Sequence, residues 1–214
     1  MTPLEAREAT RTGEVLVVAT GTANTASVLA GLRRVGARPG LVREPAEVEA
    51  ASHVVLPGVG SFGAAVRQLD ELGLRQALAR RVDRGRPTLA ICLGLQLLCS
   101  ASEESPGVAG LGVIDATIER FPPGPQVPHL GWNRVEPTDS ELLEAGDAYF
   151  ANSYRLSALP AGWGGATTDY EGRFVSALER GGVLACQFHP ELSGDWGTRL
   201  LARWFQRGRE DERC

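Results

Sequence analysis

The sequence predicts an α/β fold of three layers, in which a mostly parallel central sheet carries helices on both faces. Two observations support this prediction. Short apolar, Val-rich runs alternate with stretches of helical spacing as far as residue 101, and strands that alternate with helices form βαβ units around a parallel sheet. The composition, with 43% hydrophobic and 22% charged residues, is typical of a globular domain that is long enough to bury a core.

Apolar spacing divides the chain into two halves. In the first half, buried strands are predicted at 13–20, 52–60 and 87–92, and helices at 23–35, 62–69, 74–82 and 94–99. In the second half, antiparallel strands and hairpins are predicted at 112–121, 131–137, 147–156 and 173–191, with a turn at 180–182, before a last helix at 195–207. A single domain over 1–214 is expected, with loose ends at 1–13 and 208–214.

Composition argues against several classes of function. The formal charge is −4 and all 22 basic residues are arginine, so no lysine is present for a Schiff base or a phosphate-binding P-loop. The mild negative charge argues against a nucleic-acid-binding surface. No apolar run reaches the roughly 18 residues that span a membrane, and the polar N-terminus lacks the apolar segment of a secretory signal.

Cysteine and histidine usage indicates a cytoplasmic protein. Cys92, Cys99, Cys186 and Cys214 show no paired close spacing and no C-x-x-C motif, a pattern typical of reduced thiols. The three histidines offer little material for a metal cluster. Neither a metal nor another cofactor is therefore expected.

One cysteine stands where a nucleophile would be expected. The apolar strand ends at Cys92, and Gly94 lets the chain turn at once into a helix, as in the nucleophile elbow of hydrolases. Such a turn presents the side chain above the carboxyl edge of the sheet, beside a helix N-terminus that favours the thiolate. The backbone N–H of Leu93 would face a developing oxyanion. A small, buried, unreactive cysteine is the alternative.

Two further segments are expected at the same edge of the sheet. His189 ends the last predicted strand, and Glu191 could orient its imidazole, so that Cys92, His189 and Glu191 would form a triad for acyl transfer. The glycine-rich turn at 56–65 could supply a second set of oxyanion N–H groups. An ordinary loop histidine and a plain tight turn are the alternatives.

These motifs, PGVGSFG, ICLGLQLL and CQFHPE, resemble those of the class I glutamine amidotransferases in order and spacing, over residues 14–206. PHLGWN, YFANSY and HPELSGDWG resemble more narrowly the glutaminase subunits of imidazole glycerol phosphate synthases, enzymes of histidine biosynthesis. The resemblance implies a flavodoxin-like fold and hydrolysis of glutamine to glutamate and ammonia. It also implies a heterodimer with a separate (β/α)8-barrel cyclase subunit, which would receive the ammonia and make imidazole glycerol phosphate and AICAR.

The resemblance assigns a role to each motif residue. Cys92 would attack the glutamine amide, His189 would pass a proton to the leaving ammonia, and Glu191 would orient His189. The remaining assignments are Val59, Gly60 and Leu93 for the oxyanion hole, Gly58, Gln96, Ser153 and Tyr154 for substrate binding, and Pro128, His129, Gly131, Trp132, Asn133 and Asn152 for the partner interface.

Four features depart from the family pattern: the loop ATGTAN at 19–24, Ala90 before the elbow, Asn152 in place of a histidine and Leu192 in place of a lysine. None of them touches the triad. Two alternatives stay open, namely a class I amidotransferase for another acceptor and a non-catalytic interaction protein on the same fold.

Other conspicuous side chains receive structural interpretations. Cys99, expected one turn after Gln96 on the same helix, and Cys186 are predicted core residues. Glu103 and Glu104 are predicted to lie in a solvated loop.

Overall fold

The structure, a computed structural model, describes residues 13–19, 24–123 and 127–211. Residues 1–12 of the loose end expected at 1–13 lie outside the described residues, as do the centre of the variant loop at 20–23 and Cys214. No described helix is long and apolar enough to cross a membrane.

Strands and helices alternate in the first half of the described chain, and strands dominate the second half. The strands are β1 (Glu14–Val18), β2 (Arg38–Val42), β3 (His53–Gly58), β4 (Thr88–Cys92), β5 (Cys99–Ser102), β6 (Ile114–Arg120), β7 (His129–Thr138), β8 (Gly146–Asn152), β9 (Tyr154–Arg155), β10 (Gly164–Asp169), β11 (Arg173–Arg180) and β12 (Val183–Cys186). The helices are α1 (Thr25–Arg34), α2 (Pro45–Ala50), α3 (Phe62–Glu71), α4 (Arg75–Asp83), α5 (Leu93–Leu97) and α6 (Gly194–Asp211), with a 3-10 turn at Pro190–Leu192.

The central sheet has the strand order β2-β1-β3-β4-β12-β11-β10-β7-β8 within the described residues. The strands from β2 to β12 in this order run parallel, whereas β11, β10, β7 and β8 continue in antiparallel pairs. A smaller sheet joins β5, β6 and β9. The predicted fold, a mostly parallel core with antiparallel strands in the C-terminal half, is confirmed.

Helices cover both faces of the parallel half because its strands are apolar on both faces. In β3, Val55 packs into one core with side chains of α1 and α6, whereas Val54 and Leu56 pack into a second core with α3 and α4. All three side chains are fully buried, as expected for a strand between two helical layers. Because β3, β4 and β12 are parallel neighbours, their carboxyl ends meet at one edge of the sheet.

Four elements were not predicted, namely β2, α2, β5 and β10. The sequence of β2, RPGLV, contains Pro39 and Gly40, which are uncommon in strands. Proline is tolerated at the edge of a sheet, where β2 lies, and the parallel ladder to β1 holds the strand in place. The sequence of β10, GGATTD, is equally poor in apolar residues, and pairing with β7 and β11 defines it instead.

Two predicted helix boundaries are wrong. The helix after Cys92 ends at Leu97, and Cys99 begins β5 instead of lying on the helix. The reason is tertiary, because the carbonyl oxygens of Leu97 and Leu98 accept hydrogen bonds from the backbone at 111–114, so the helix does not continue. At the other end of the chain α6 continues to Asp211, so the tail expected to be loose from residue 208 is helical over 208–211.

Candidate active site

The carboxyl end of β4 places Cys92 at a sharp strand-to-helix turn. Its backbone has φ 54° and ψ −107°, a left-handed conformation that side-chain-bearing residues rarely adopt. Gly94 permits the turn, since a Cβ atom there would lie 2.1 Å from the carbonyl oxygen of Leu56 on β3. The geometry is that of a nucleophile elbow.

Cys92 meets His189 and Glu191 at this edge of the sheet. Nδ1 of His189 lies 2.9 Å from Oε1 of Glu191, and the imidazole also hydrogen-bonds to the side chain of Cys92. All three side chains are more than nine-tenths buried. Nucleophile, imidazole and orienting carboxylate therefore form one hydrogen-bonded series, the arrangement of a catalytic triad.

The surroundings of His189 favour its charged form. Burial opposes protonation of the ring, but its hydrogen bonds with Cys92 and Glu191 and their charges outweigh burial and raise the pKa of His189 to about 10. An imidazolium beside the sulfur stabilises a thiolate, the nucleophilic form of cysteine. Since α5 has only five residues, the neighbouring imidazolium is a stronger source of this stabilisation than the helix dipole.

A cavity of about 330 Å³ opens in front of Cys92, a volume at the lower end of the range for small-molecule sites. It collects most of the site residues predicted from the sequence. Its lining comprises Val59, Gly60, Cys92, Leu93, Gln96, Asn152, Ser153, Tyr154 and His189, together with Glu104 and Ala151.

Gly58 does not line this cavity, contrary to the expectation that it contacts substrate. It lies beneath the elbow, where an added Cβ atom would be 2.8 Å from the Cβ atom of Leu93. Its lack of a side chain allows α5 to pack closely on β3. Gly58 borders instead a cleft of about 10 Å³ beside His189 and Glu191.

Gln96 is held by two hydrogen bonds from its amide nitrogen. Nε2 donates to the carbonyl oxygen of Tyr154 at 3.3 Å and to Oε1 of Gln187 at 3.0 Å. The Tyr154 carbonyl oxygen also accepts a bond from the Asn152 amide at 3.0 Å. Because this oxygen is engaged within the protein, any contact of Tyr154 with a substrate falls to its other atoms.

Sequence reasoning missed two residues of the site, Glu104 and Gln187. Glu104 was expected in a solvated loop, but it lines the cavity, and its Oε2 accepts a hydrogen bond from the Phe62 N–H at 2.6 Å. No local pattern identifies it, because the tertiary fold brings its loop to the elbow. Gln187 could have been identified, since residues two apart in an extended segment face the same side, and His189 is two residues further on.

The residues expected at a partner interface fall into two groups. Trp132 is 59% exposed and Pro128 is also exposed, and Gly131 and Asn133 are half-buried. His129 and Asn152 are buried within the chain, so neither offers the exposed surface that was expected of it, and their contact with a partner stays a prediction.

Burial of this pair follows from the register of the β7–β8 hairpin. His129 lies opposite Asn152 and turns inward, where its ring stacks between Phe150 at 4.6 Å and Tyr170 at 3.8 Å. Burial lowers the pKa of His129 to about 4, so the ring is neutral at neutral pH. Asn152 lines the cavity at the other side of the pair.

The other described cysteines are core residues, as expected. Cys99 and Cys186 are fully buried and form no disulfide. Burial raises the pKa of Cys99 to about 12 and that of Cys186 well above its usual range, so both stay as unreactive thiols. Among the described residues, no group of three or more His, Cys, Asp and Glu side chains could hold a metal ion.

Comparison with known proteins gives a family, close relatives and a shared fold. The family model of the class I glutamine amidotransferases matches residues 16–207. The imidazole glycerol phosphate synthase subunit HisH of Symbiobacterium thermophilum is 40% identical over 195 residues, which are 89% of this chain and 92% of that protein. The chloroplastic imidazole glycerol phosphate synthase hisHF of Arabidopsis thaliana is 41% identical over 194 residues, which are 86% of this chain and 32% of that protein. A crystal structure of a glutamine amidotransferase, 24% identical, has a TM-score of 0.74 over 91% of this chain and 98% of its own, which shows the shared fold.

Proposed function

The chain belongs to the class I glutamine amidotransferases, and from this premise we propose that it is the glutaminase subunit of an imidazole glycerol phosphate synthase, which hydrolyses glutamine to glutamate and ammonia in histidine biosynthesis. The observation that carries the chemistry is the hydrogen-bonded series of Cys92, His189 and Glu191 in front of the cavity. The identity of 40% to a HisH subunit, over about nine-tenths of both chains, favours this role over service to another acceptor.

The first half of the reaction forms a thioester. The Cys92 thiolate adds to the amide carbon of glutamine, and the carbonyl oxygen takes up the negative charge. The backbone N–H groups of Leu93 and of the Val59–Gly60 segment, which line the cavity, are proposed to stabilise this oxyanion. The His189 imidazolium gives its proton to the amide nitrogen, the C–N bond breaks and ammonia leaves.

The second half releases glutamate. Neutral His189 takes a proton from a water molecule as the water attacks the thioester carbon, and the C–S bond then breaks to restore the thiolate. Glu191 holds the Nδ1 side of the ring at 2.9 Å, which keeps the opposite nitrogen directed at the sulfur and stabilises the imidazolium. One glutamine and one water give one glutamate and one ammonia.

Two cavity residues fit the ends of a free glutamine molecule. Glu104 places a carboxylate on the cavity wall, held by the backbone N–H of Phe62, and we assign it to the α-ammonium group, since such a charged pair is strong when partly buried. Gln96 donates from Nε2 to two protein acceptors, so its carbonyl oxygen is the atom assigned to the substrate.

An exposed apolar surface adjoins the cavity. Leu130 and Trp132 on β7 and Leu192 in the 3-10 turn are 66%, 59% and 39% exposed, and we call these three residues with Tyr149 the hairpin face. Leu130 pairs across the hairpin with Ala151, which lines the cavity. A partner on this face would therefore lie next to the cavity in which ammonia is released.

We assign the hairpin face to a (β/α)8-barrel cyclase subunit. Large exposed apolar side chains such as Trp132 are typical of interface centres. The relative from Symbiobacterium thermophilum is itself named as a subunit. The plant relative named hisHF, of which the match covers 32%, supports a functional link between the two activities.

Measurement of glutamate release tests the proposed function. The purified chain is incubated with glutamine, alone and with a cyclase subunit and its nucleotide substrate. We expect release that depends on the partner and is abolished by Cys92→Ala. The control Cys99→Ala removes a buried thiol outside the cavity lining and should retain activity. Absence of release in every combination would contradict the proposal and favour a non-catalytic interaction protein.

A further inference from the structure

Gln187 lies one residue beyond β12, between Cys186 and the triad residue His189, and its amide is completely buried. Its backbone N–H donates to the Ser176 carbonyl oxygen on β11 at 2.9 Å, which fixes the main chain at this point. A buried amide side chain is costly unless its polar atoms have partners. Both ends of the Gln187 amide have a partner: Oε1 accepts from Gln96 at 3.0 Å, and Nε2 lies 3.6 Å from Sγ of Cys92.

The orientation of this amide follows from its neighbours. The Tyr154 carbonyl oxygen can only accept a hydrogen bond, so the Gln96 atom 3.3 Å from it must be the NH2 nitrogen. The second hydrogen of the same NH2 group points to Gln187 at 3.0 Å. An NH2 group cannot accept, so Gln187 must present its oxygen there, and its own NH2 group must then face the sulfur of Cys92.

A donor at this position binds the thiolate and the neutral thiol of the cysteine with different strengths. A thiolate is a strong acceptor of N–H hydrogen bonds, whereas the sulfur of a neutral thiol is a weak one. A hydrogen bond that favours the charged form lowers the pKa of an acid. Gln187 follows β12, whereas Cys92 ends β4, and the Gln187 amide carries no charge. Its hydrogen bond to the sulfur therefore adds to the effect of the His189 imidazolium, and the amide does not take up the imidazolium proton.

We propose that Gln187 is a further residue of the hydrolysis site, whose amide N–H stabilises the Cys92 thiolate and whose orientation is set by Gln96, a proposed substrate-binding residue. This inference rests on the proposed function for its role in catalysis. It predicts that the state of the nucleophile depends on a side chain in the substrate cavity. Loss of the donor should shift the ionisation of Cys92 even when no substrate is present.

Two variants of nearly the same shape test the donor. Gln187→Met removes both polar atoms, and Gln187→Glu keeps an acceptor for Gln96 but replaces the donor with a carboxylate. The rate of alkylation of Cys92 by iodoacetamide is measured against pH in the full chain, with peptide mapping to separate Cys92 from the other cysteines. We expect the midpoint of the rate profile to rise by about one pH unit in Gln187→Met and further in Gln187→Glu, with the plateau at high pH unchanged.

Matched variants separate this role from a general structural one. Gln76→Glu adds the same charge at an exposed helical position and should leave the midpoint unchanged. Gln96→Met retains Gln187 but removes the group that orients it, so the midpoint should rise here as well, by less than in Gln187→Met. This last variant also carries the test if Gln187→Met fails to fold.

The kinetic readout distinguishes failure of this inference from failure of the proposed function. In an enzyme that hydrolyses glutamine, Gln187→Met should lower kcat near neutral pH about tenfold with little change in KM, and activity should recover as the pH is raised. A wild-type midpoint of alkylation in both Gln187 variants would overturn the inference, although glutamine hydrolysis by the wild-type chain would stand. Absence of hydrolysis by the wild-type chain with its partner would overturn the proposed function, although the alkylation result would stand.

Discussion

The backbone of Tyr149 is hydrogen-bonded to His189, because the His189 N–H donates to the Tyr149 carbonyl oxygen at 2.9 Å. The two residues belong to different surfaces. Tyr149 packs edge-to-face with Trp132 on the hairpin face, with 6.2 Å between ring centroids, whereas His189 lies in the cavity. A partner that shifts β8 by docking on the hairpin face would therefore act on the main chain of His189, the residue that carries the imidazole.

Ser193 reinforces this connection, and its removal should weaken both folding and catalysis. Its hydroxyl donates to the His189 carbonyl oxygen at 2.6 Å and accepts from the Tyr149 N–H at 3.0 Å. Ser193→Ala leaves a buried N–H without a partner, so the free energy of unfolding should fall by about 1–3 kcal/mol. We also expect a lower kcat, since the main chain of His189 loses a support. Urea denaturation and glutamate release measure the two effects.

Thr198→Ala is the matched control for Ser193→Ala. The Thr198 hydroxyl also donates to a backbone carbonyl oxygen, that of Gly194 at 2.9 Å, but it lies on the outside of α6. Its removal should change the free energy of unfolding by no more than about 0.5 kcal/mol. It should leave kcat close to the wild-type value. If Ser193→Ala and Thr198→Ala have the same free energy of unfolding and the same kcat, the Ser193 bridge between Tyr149 and His189 contributes to neither folding nor catalysis.

Trp132→Ala should weaken binding of the proposed cyclase subunit without unfolding the chain. Trp132 is 59% exposed, so its removal costs little in the free protein, whereas loss of an aromatic side chain at an interface centre costs about 2 kcal/mol or more. This corresponds to a Kd raised about 30-fold, which calorimetric titration with the cyclase would measure. Leu41→Ala removes a side chain of similar exposure, 56%, from β2 at the opposite end of the sheet. An equal Kd for both variants would contradict the assignment of the hairpin face.

Glu191→Gln should lower kcat/KM by about 10²–10⁴-fold while the chain stays folded, since the amide has the same shape but no charge. The carboxylate helps to raise the pKa of His189 to about 10. Its loss lowers this pKa, so the imidazolium deprotonates at lower pH and the alkaline limb of the kcat/KM profile moves to lower pH. The exposed Glu171→Gln serves as control. An alkaline limb at the wild-type position in Glu191→Gln would show that Glu191 does not act through the ring.

Some residues of the site could be predicted from the sequence and others could not. Cys92, Gly94, His189 and Glu191 could be predicted because each occupies a strand end whose local pattern specifies the backbone. Parallel strands then bring these ends to one edge of the sheet, whatever the rest of the chain does. The elbow requires a small residue at position 94, where a Cβ atom would collide with the main chain of β3.

The residues that sequence reasoning missed or misplaced depend on contacts between distant segments. Glu104 reaches the cavity through a loop that docks on the start of α3, and no periodicity near residue 104 encodes that docking. His129 was expected at a surface because its motif resembles an interface motif, but alternation along β7 turns it inward, whereas Leu130 and Trp132 face out. Strand period alone would have separated these neighbours correctly.

His129 should make the stability of the protein fall as the pH falls from about 6.5 to 4. Burial between the rings of Phe150 and Tyr170 lowers its pKa to about 4 in the folded state, whereas the unfolded chain has the ordinary value of about 6.5. Within this window the unfolded state binds a proton that the folded state does not, so protons favour unfolding, by at most about 3 kcal/mol at the acidic end. Urea denaturation at several pH values would show this slope in the wild-type chain and a smaller slope in His129→Phe, whose ring fits the same stack. Near pH 7.5 the histidine is neutral in both states, so the free energies of unfolding of the two proteins should differ there by an amount that does not change with pH. An identical pH dependence in the two proteins would contradict this prediction, because the pKa of His129 would then be the same in the folded and unfolded states.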